Sequence, residues 1–141
     1  MRGNDAVAEP QNDLSSSFRH FPQQVGIDAY GNRGFRFADL SHKGSLLCLP
    51  GRMQAWEVTD SAGLTLASLQ PVLDLAEPVD VLLIGLGADI VAIDPNIRAA
   101  FRERGIIVEA TQTGGAIRTY NVLLAEDRAV AAALIAVEKA R

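Results

Sequence analysis

The chain begins with a stretch that has almost no large apolar side chain, MRGNDAVAEPQNDLSSS, rich in Asn, Asp, Gln and Ser. Such a segment cannot bury enough surface to offset the entropy of ordering, so residues 1–17 are expected to form a disordered tail and residues 18–141 a single domain. Residues 25–58 then run in short alternating segments, GIDAY, FRFADL and SLLCLPGRMQAWEV, interrupted by glycines. This texture predicts short strands in one or two hairpins. Gly31-Asn32-Arg33-Gly34 reads as a tight hairpin loop, and residues 41–44 (SHKG) as the next turn.

After Gly63 the apolar spacing lengthens to that of helices and buried strands. Ser68 is placed to cap a short helix that tolerates Pro71 in its first turn, with Leu69, Val72, Leu73 and Ala76 on one face and Pro78 as its stop. Residues 79–84 are almost continuously apolar, which predicts a strand covered on both faces. Asp94-Pro95 pairs a capping carboxylate with a proline at the first helical position, and Gly105 ends that helix. Ile97 and Phe101 lie one turn apart and should face the core, leaving Arg98, Arg102 and Glu103 in water. A strand over residues 106–110 follows, and Thr113-Gly114-Gly115 opens a third helix with Ile117, Tyr120 and Leu124 on one side. Strand, helix and strand make a right-handed unit with parallel strands. Residues 129–137, AVAAALIAV, fit either type by periodicity; their shortness favours a final buried strand.

The composition narrows the classes of function. The chain has 141 residues, 48% hydrophobic and 21% charged, with a net charge of −4. That is a globular composition without the basic field that nucleic acid requires, so no nucleic-acid partner is expected. Cys48 is the sole cysteine, and it sits in an apolar run; with His20 and His42 far apart, neither a disulfide nor a metal site is expected, and no cofactor. No apolar stretch is long enough to insert in a bilayer. The acidic N-terminal stretch has the pattern of neither a secretory signal nor a mitochondrial presequence, so the expected location is the cytoplasm.

Two glycine pairs offer candidate chemistry. Gly85-Leu86-Gly87 follows a strand, as in the dinucleotide-binding fingerprint, whose glycines admit a pyrophosphate to a helix N-terminus. The third glycine position is Ile90, however, and the helix begins some seven residues late at Asp94-Pro95. The pyrophosphate cradle is therefore missing, and Glu109, in the place of a ribose-binding acid, is weak support alone. Thr113-Gly114-Gly115 does hand a strand directly to a helix, where free amides with Arg118 one turn along suit an anion. The same residues equally suit close helix-to-sheet packing with Arg118 at the surface. Catalytic groups are scarce: neither histidine has a context that suggests a base, His20 following the expected tail and His42 lying in an expected turn, Ser45, Ser61 and Thr113 lack an elbow motif, Asp94 is better explained as a cap than as a carboxylate partner of Asp89, and Tyr120 reads as a core aromatic.

The run LLIGLGAD, followed by DPNIRAAFRERGIIVEATQTGGAIRTYNVLLAEDRAVAAALI, resembles a family of small α/β domains of unassigned biochemistry that includes a mitochondrial assembly factor for respiratory complex I. The likeness extends over about residues 27–135. It is carried by Gly85-x-Gly87, by Arg104-Gly105-Ile106 with Val108-Glu109, by Arg118-Thr119-Tyr120-Asn121, and by Glu126-x-Arg128. The resemblance implies a three-layer α/β domain: a central five-stranded mixed sheet, mostly parallel with the last strand antiparallel, helices on both faces, and an added N-terminal β-hairpin layer. The family's mitochondrial members act by binding partner proteins, which together with the scarcity of catalytic groups points to a non-enzymatic interaction or assembly module with a protein partner, and the resemblance leaves self-association open. The alternative is a small-molecule binder or enzyme for an anionic metabolite in a cleft at the C-terminal edge of the parallel strands. For either role the candidate residues are Gly85, Gly87, Thr113, Gly114, Gly115, Arg118, Tyr120 and Asn121.

Overall fold

The strands within residues 29–43 form a small sheet of their own, whereas SLLCL and RMQAW join the apolar runs further along the chain in a larger one. The computed structural model describes residues 20–140; the tail expected over residues 1–17 lies outside them. In chain order the strands are β1 (His20–Phe21), β2 (Ala29–Gly31), β3 (Gly34–Phe37), β4 (Leu40–Lys43), β5 (Ser45–Leu49), β6 (Arg52–Trp56), β7 (Val81–Gly85), β8 (Ile107–Thr111) and β9 (Val130–Leu134), with helices α1 (Gln70–Leu73), α2 (Pro95–Arg102) and α3 (Thr113–Ala125). The strands β2, β3 and β4 form a small antiparallel sheet. The larger sheet has the order β1-β6-β5-β9-β7-β8, and its central strands β5 and β9 are buried at every residue.

The larger sheet is mixed, as the resemblance implies, but it differs in count and direction. The two-residue β1 adds a sixth strand at one edge. Parallel pairing is confined to β7 with β8 and β7 with β9, while β5 pairs antiparallel with both β6 and β9. The last strand is thus parallel to β7 and antiparallel only to β5. The reason is the route of the chain: β7 leads through α2 to β8 on one side, and β8 leads through α3 back across β7 to β9 on the other. Two right-handed crossovers that step in opposite directions must place their helices on opposite faces. The core follows this rule: Ile97 and Phe101 of α2 pack with Leu82, Ile84, Ala131 and Ala133, whereas Ile117 and Tyr120 of α3 pack with Leu83, Ala132, Leu134 and the Phe35 and Phe37 rings of the small sheet.

Two turns fall elsewhere than expected. Residues 41–43 belong to β4, and the hairpin turn is Ala38-Asp39, with φ of 49° and 63°, the left-handed pair of a two-residue loop. Alternation is the cause: Phe35 faces His42 and Phe37 faces Leu40 across the ladder, so continuing the inward rhythm through His42 leaves Ala38-Asp39 as the corner. Gly44, at φ 91°, makes a second sharp bend into β5. The loop at Asn32 and Arg33 matches the expectation, with φ of 51° and 61°. Ser68 likewise does not cap the helix. It lies in a 3-10 turn (Ala67–Leu69), its hydroxyl accepting from the Thr65 amide at 3.0 Å and donating to the Thr65 carbonyl at 2.6 Å, while the Thr65 hydroxyl accepts from the Ser68 amide. Helix α1 ends at Leu73, and Ala76 is exposed beyond it. The start of α2 is as expected: Asp94 accepts from the Asn96 amide at 2.9 Å, and Pro95 follows.

Candidate functional site

The loop leaving β7 and the first turn of α3 are bound to each other. Gly85 lies so close to α3 that a Cβ there would sit 2.9 Å from Thr113 Cα and 3.2 Å from a methyl of Leu134. Gly87 takes φ 98°, which a side chain would strain. These two positions let the backbone turn over the helix end, and Thr113 fastens it. Its amide donates to the Gly87 carbonyl at 3.0 Å. Its hydroxyl accepts from the Gly87 amide at 3.0 Å and donates to the Ile135 carbonyl at 2.6 Å. The Leu86 amide donates to the Thr111 carbonyl, the Ile135 amide to the Gly85 carbonyl, and the Gln112 side chain to the Ala88 carbonyl. One fully buried hydroxyl therefore joins the ends of β7 and β9 to the start of α3.

The remaining candidates divide between two places. Gly114 is buried beside Thr113, and Gly115 packs on Thr111, whose methyl is 3.2 Å from the position of a Cβ. Arg118 is exposed and already engaged, with a guanidinium nitrogen 3.9 Å from that same Cβ position. Tyr120 and Asn121 lie further along, against the segment that precedes the small sheet. Tyr120 donates to the Val25 carbonyl at 2.7 Å, and Asn121 accepts from the Ile27 amide and donates to the Ile27 carbonyl, both at 2.9 Å. Asn121 thus supplies to Ile27 the pair of bonds a neighbouring strand would make. Burial raises the Tyr120 hydroxyl's pKa far above the ordinary phenol range, with Cys48 adding to the effect, and burial likewise raises the Cys48 thiol. Both groups stay protonated and neutral. His42, expected in a turn, is buried on β4, with Nε2 bonded to the Ser45 carbonyl at 3.0 Å.

The same sheet edge holds a groove that the sequence did not announce. A cavity of about 450 Å³ lies between the Gly87 loop, the turn at Thr59 to Ser61, and the extended chain leaving β9 at Ile135 to Lys139. A second, of about 570 Å³, shares Thr59, Ala136 and Glu138 with it and reaches Arg33, Lys43 and Ser45. Between them the chain is held on the small sheet: Asn32 and Arg33 amides donate to the Glu138 and Val137 carbonyls, Arg33 forms an ion pair with Glu138, and Ser45 accepts from the Ala136 amide. Of the candidates, only Gly87 lines the first cavity. The one signal for this groove was the rule that ligands bind outside the carboxyl ends of parallel strands; its walls come from segments more than seventy residues apart. Among the described residues no group of three or more His, Cys, Asp and Glu is arranged to hold a metal ion.

Residues 27–135, the segment that contains the β7 loop, Thr113 and β9, match the family described as "Protein of unknown function (DUF498/DUF598)". The chain belongs to this family. An uncharacterized family relative from Rhodobacter capsulatus is 38% identical over 115 residues, 82% of this chain and 87% of its own length. NADH dehydrogenase [ubiquinone] 1 alpha subcomplex assembly factor 3 of Mus musculus is 34% identical over 115 residues, again 82% of this chain, and its human counterpart is 31% identical over 117. The match spans 62% of the mouse protein's length. Among solved structures, an outer membrane protein from Bartonella henselae superposes with a TM-score of 0.79 at 46% identity, covering 84% of this chain and 99% of that one. A Rhodopseudomonas palustris protein gives 0.75 at 47% identity, covering 87% and 91%. A Mth938-like domain from Bordetella pertussis gives 0.70 at 27%, covering 83% and 89%. The relatives share the mixed α/β fold, and several carry the name of a complex I assembly factor. No helix among the described residues is long and apolar enough to cross a membrane.

Proposed function

We propose that this chain is a non-enzymatic interaction module of the cytoplasm that serves the assembly of a respiratory NADH dehydrogenase by binding a partner protein. The observation that carries this reading is the relationship, over 115 to 117 residues, to proteins named as complex I assembly factors. The geometry supports it, because the polar side chains that first suggest chemistry are engaged in holding the fold: Thr113 on Gly87 and Ile135, Tyr120 on Val25, and Asn121 on Ile27. The test is a deletion strain together with capture of the tagged full chain from its native organism. Loss of membrane NADH oxidation on deletion, with recovery of a dehydrogenase subunit, is the expected outcome. Unchanged oxidation and no such subunit would remove the assembly reading.

A second reading is favoured by the groove itself, whose volume of about 450 Å³ lies in the range of small-molecule sites. In that reading the chain binds an anionic metabolite at the C-terminal edge of its parallel strands, where Lys139 of the groove wall supplies the positive charge that Arg118, outside that wall, does not. Thermal shift against a panel of anionic metabolites tests it, since a ligand at 100 times its dissociation constant adds about 2.7 kcal/mol of stability. No shift across the panel, or a shift unchanged in Lys139→Ala, counts against it.

A further inference from the structure

Exposed large aliphatic side chains are few among the described residues, and two of them stand together beside the groove. Ile90 is 67% exposed and Val91 41% exposed, in the loop that follows Gly87. Val91 also lines the cavity of about 450 Å³, whose inner wall includes the buried residues Leu86, Ile135 and Val137. A protruding aliphatic pair and an apolar-walled hollow thus adjoin on one patch. The charges on the patch have the same property. Of the charged residues that line the cavity, Glu138 pairs with Arg33 and Asp60 accepts from the Gly63 amide, which leaves Asp89 and Lys139, of opposite sign, without an ion pair to another described residue. A surface that carries a knob beside a hole, and an acid beside a base, is self-complementary under a two-fold axis, which is what an isologous interface requires.

We propose that this edge is a self-association face, on which Ile90 and Val91 of one copy enter the groove of a second copy and are entered in return, with Asp89 of each copy meeting Lys139 of the other. Burying the aliphatic pair supplies the driving force, and the two symmetry-related charge contacts fix orientation. The other exposed aliphatic residues, Ile107 at 63% and Val122 at 56%, lack these features. Neither lines a cavity described above. The outer edge of β8 beside Ile107 is partly occupied, because Arg98 donates to the outward carbonyl of Val108 at 2.5 Å. Self-association through the groove does not depend on the assembly role, and the two fail separately: one is read in purified protein, the other in membranes.

The experiment is sedimentation velocity of the full chain from low micromolar to millimolar concentration, with circular dichroism confirming that each variant is folded. The wild type should show a concentration-dependent dimer. Ile90→Asp should leave only monomer, whereas Ile107→Asp should dimerise as the wild type does. Asp89→Lys or Lys139→Asp alone should weaken the dimer by about tenfold or more, since each places like charges opposite one another twice. The double reversal Asp89→Lys with Lys139→Asp should restore it to within a few-fold of the wild type. A wild type that stays monomeric throughout, a dimer that survives Ile90→Asp, or a double reversal no better than the single ones would each overturn the proposal.

Discussion

Thr113 makes three hydrogen bonds within a space where none of its atoms meets water. Removing the hydroxyl while keeping the shape leaves the Ile135 carbonyl and the Gly87 amide without it, and each unsatisfied buried group costs about 1–3 kcal/mol. Thr113→Val should therefore lower the free energy of unfolding by about 2–4 kcal/mol, read from urea denaturation. Thr113→Ser should recover most of that loss. Gly85 is the counterpart of this contact. A methyl at 2.9 Å from the Thr113 backbone has nowhere to go, so Gly85→Ala should destabilise by about 1–3 kcal/mol, in the range of core overpacking. The same substitution at Gly115, which meets side-chain atoms alone, Thr111 at 3.2 Å and Arg118 at 3.9 Å, should cost less. At this scale the sequence was legible in part: a glycine pair at a strand end announced a close approach, but which group approached required Thr113, 26 residues on, to be placed beside it.

Among the elements, those whose signals are local formed where the sequence put them. Asp94 caps α2, Gly105 ends it with φ 76°, and β7, β8 and β9 match their apolar runs. The β3–β4 hairpin shows where local signals mislead. Glycine at residue 44 and the polar SHK before it look like a turn, yet the ladder carries on through His42 and bends at Ala38-Asp39. Ala38 at φ 49° is in a region that costs a non-glycine residue about 1–2 kcal/mol. Ala38→Gly relieves this, offset by the extra freedom of glycine in the unfolded chain, so a net gain of up to about 1 kcal/mol is expected in thermal or urea unfolding. A loss of stability would mean that the turn is not the left-handed pair described. Helix α1 starts beyond Ser68 for a related reason, since Thr65, three residues upstream, competes for the Ser68 hydroxyl and turns the segment into 3-10 geometry first.

For the whole molecule, one consequence of the packing is a stability that depends on alkaline pH. Cys48 and Tyr120 adjoin in the cluster under the small sheet, and burial raises both pKa values above those of the unfolded chain, where a thiol titrates at about 8.5 and a phenol at about 10. A raised folded pKa means that the unfolded state releases its proton first as pH climbs. The stabilisation is complete below about pH 8 and declines above it, first through Cys48 and then through Tyr120. Urea midpoints should hold steady from pH 7 to 8 and fall from about pH 9 upward, and Cys48→Ala should delay the onset toward the phenol range. A midpoint in the wild type that is flat to pH 10 would contradict this account. By itself the sequence determined the apolar runs, the capped α2 and the right hand of the crossover between parallel strands. Each of these depends on residues close in the chain or on chirality common to all L-chains. What only the tertiary structure decided are the contacts between distant segments: Asn121 serving as strand partner to Ile27 from 94 residues away, Tyr120 reaching Val25, and the chain leaving β9 crossing the small sheet to wall the groove beside Ile90. Hydrogen bonds and burial of that kind depend on which surfaces meet once the layers have packed, and no periodicity along the chain records it.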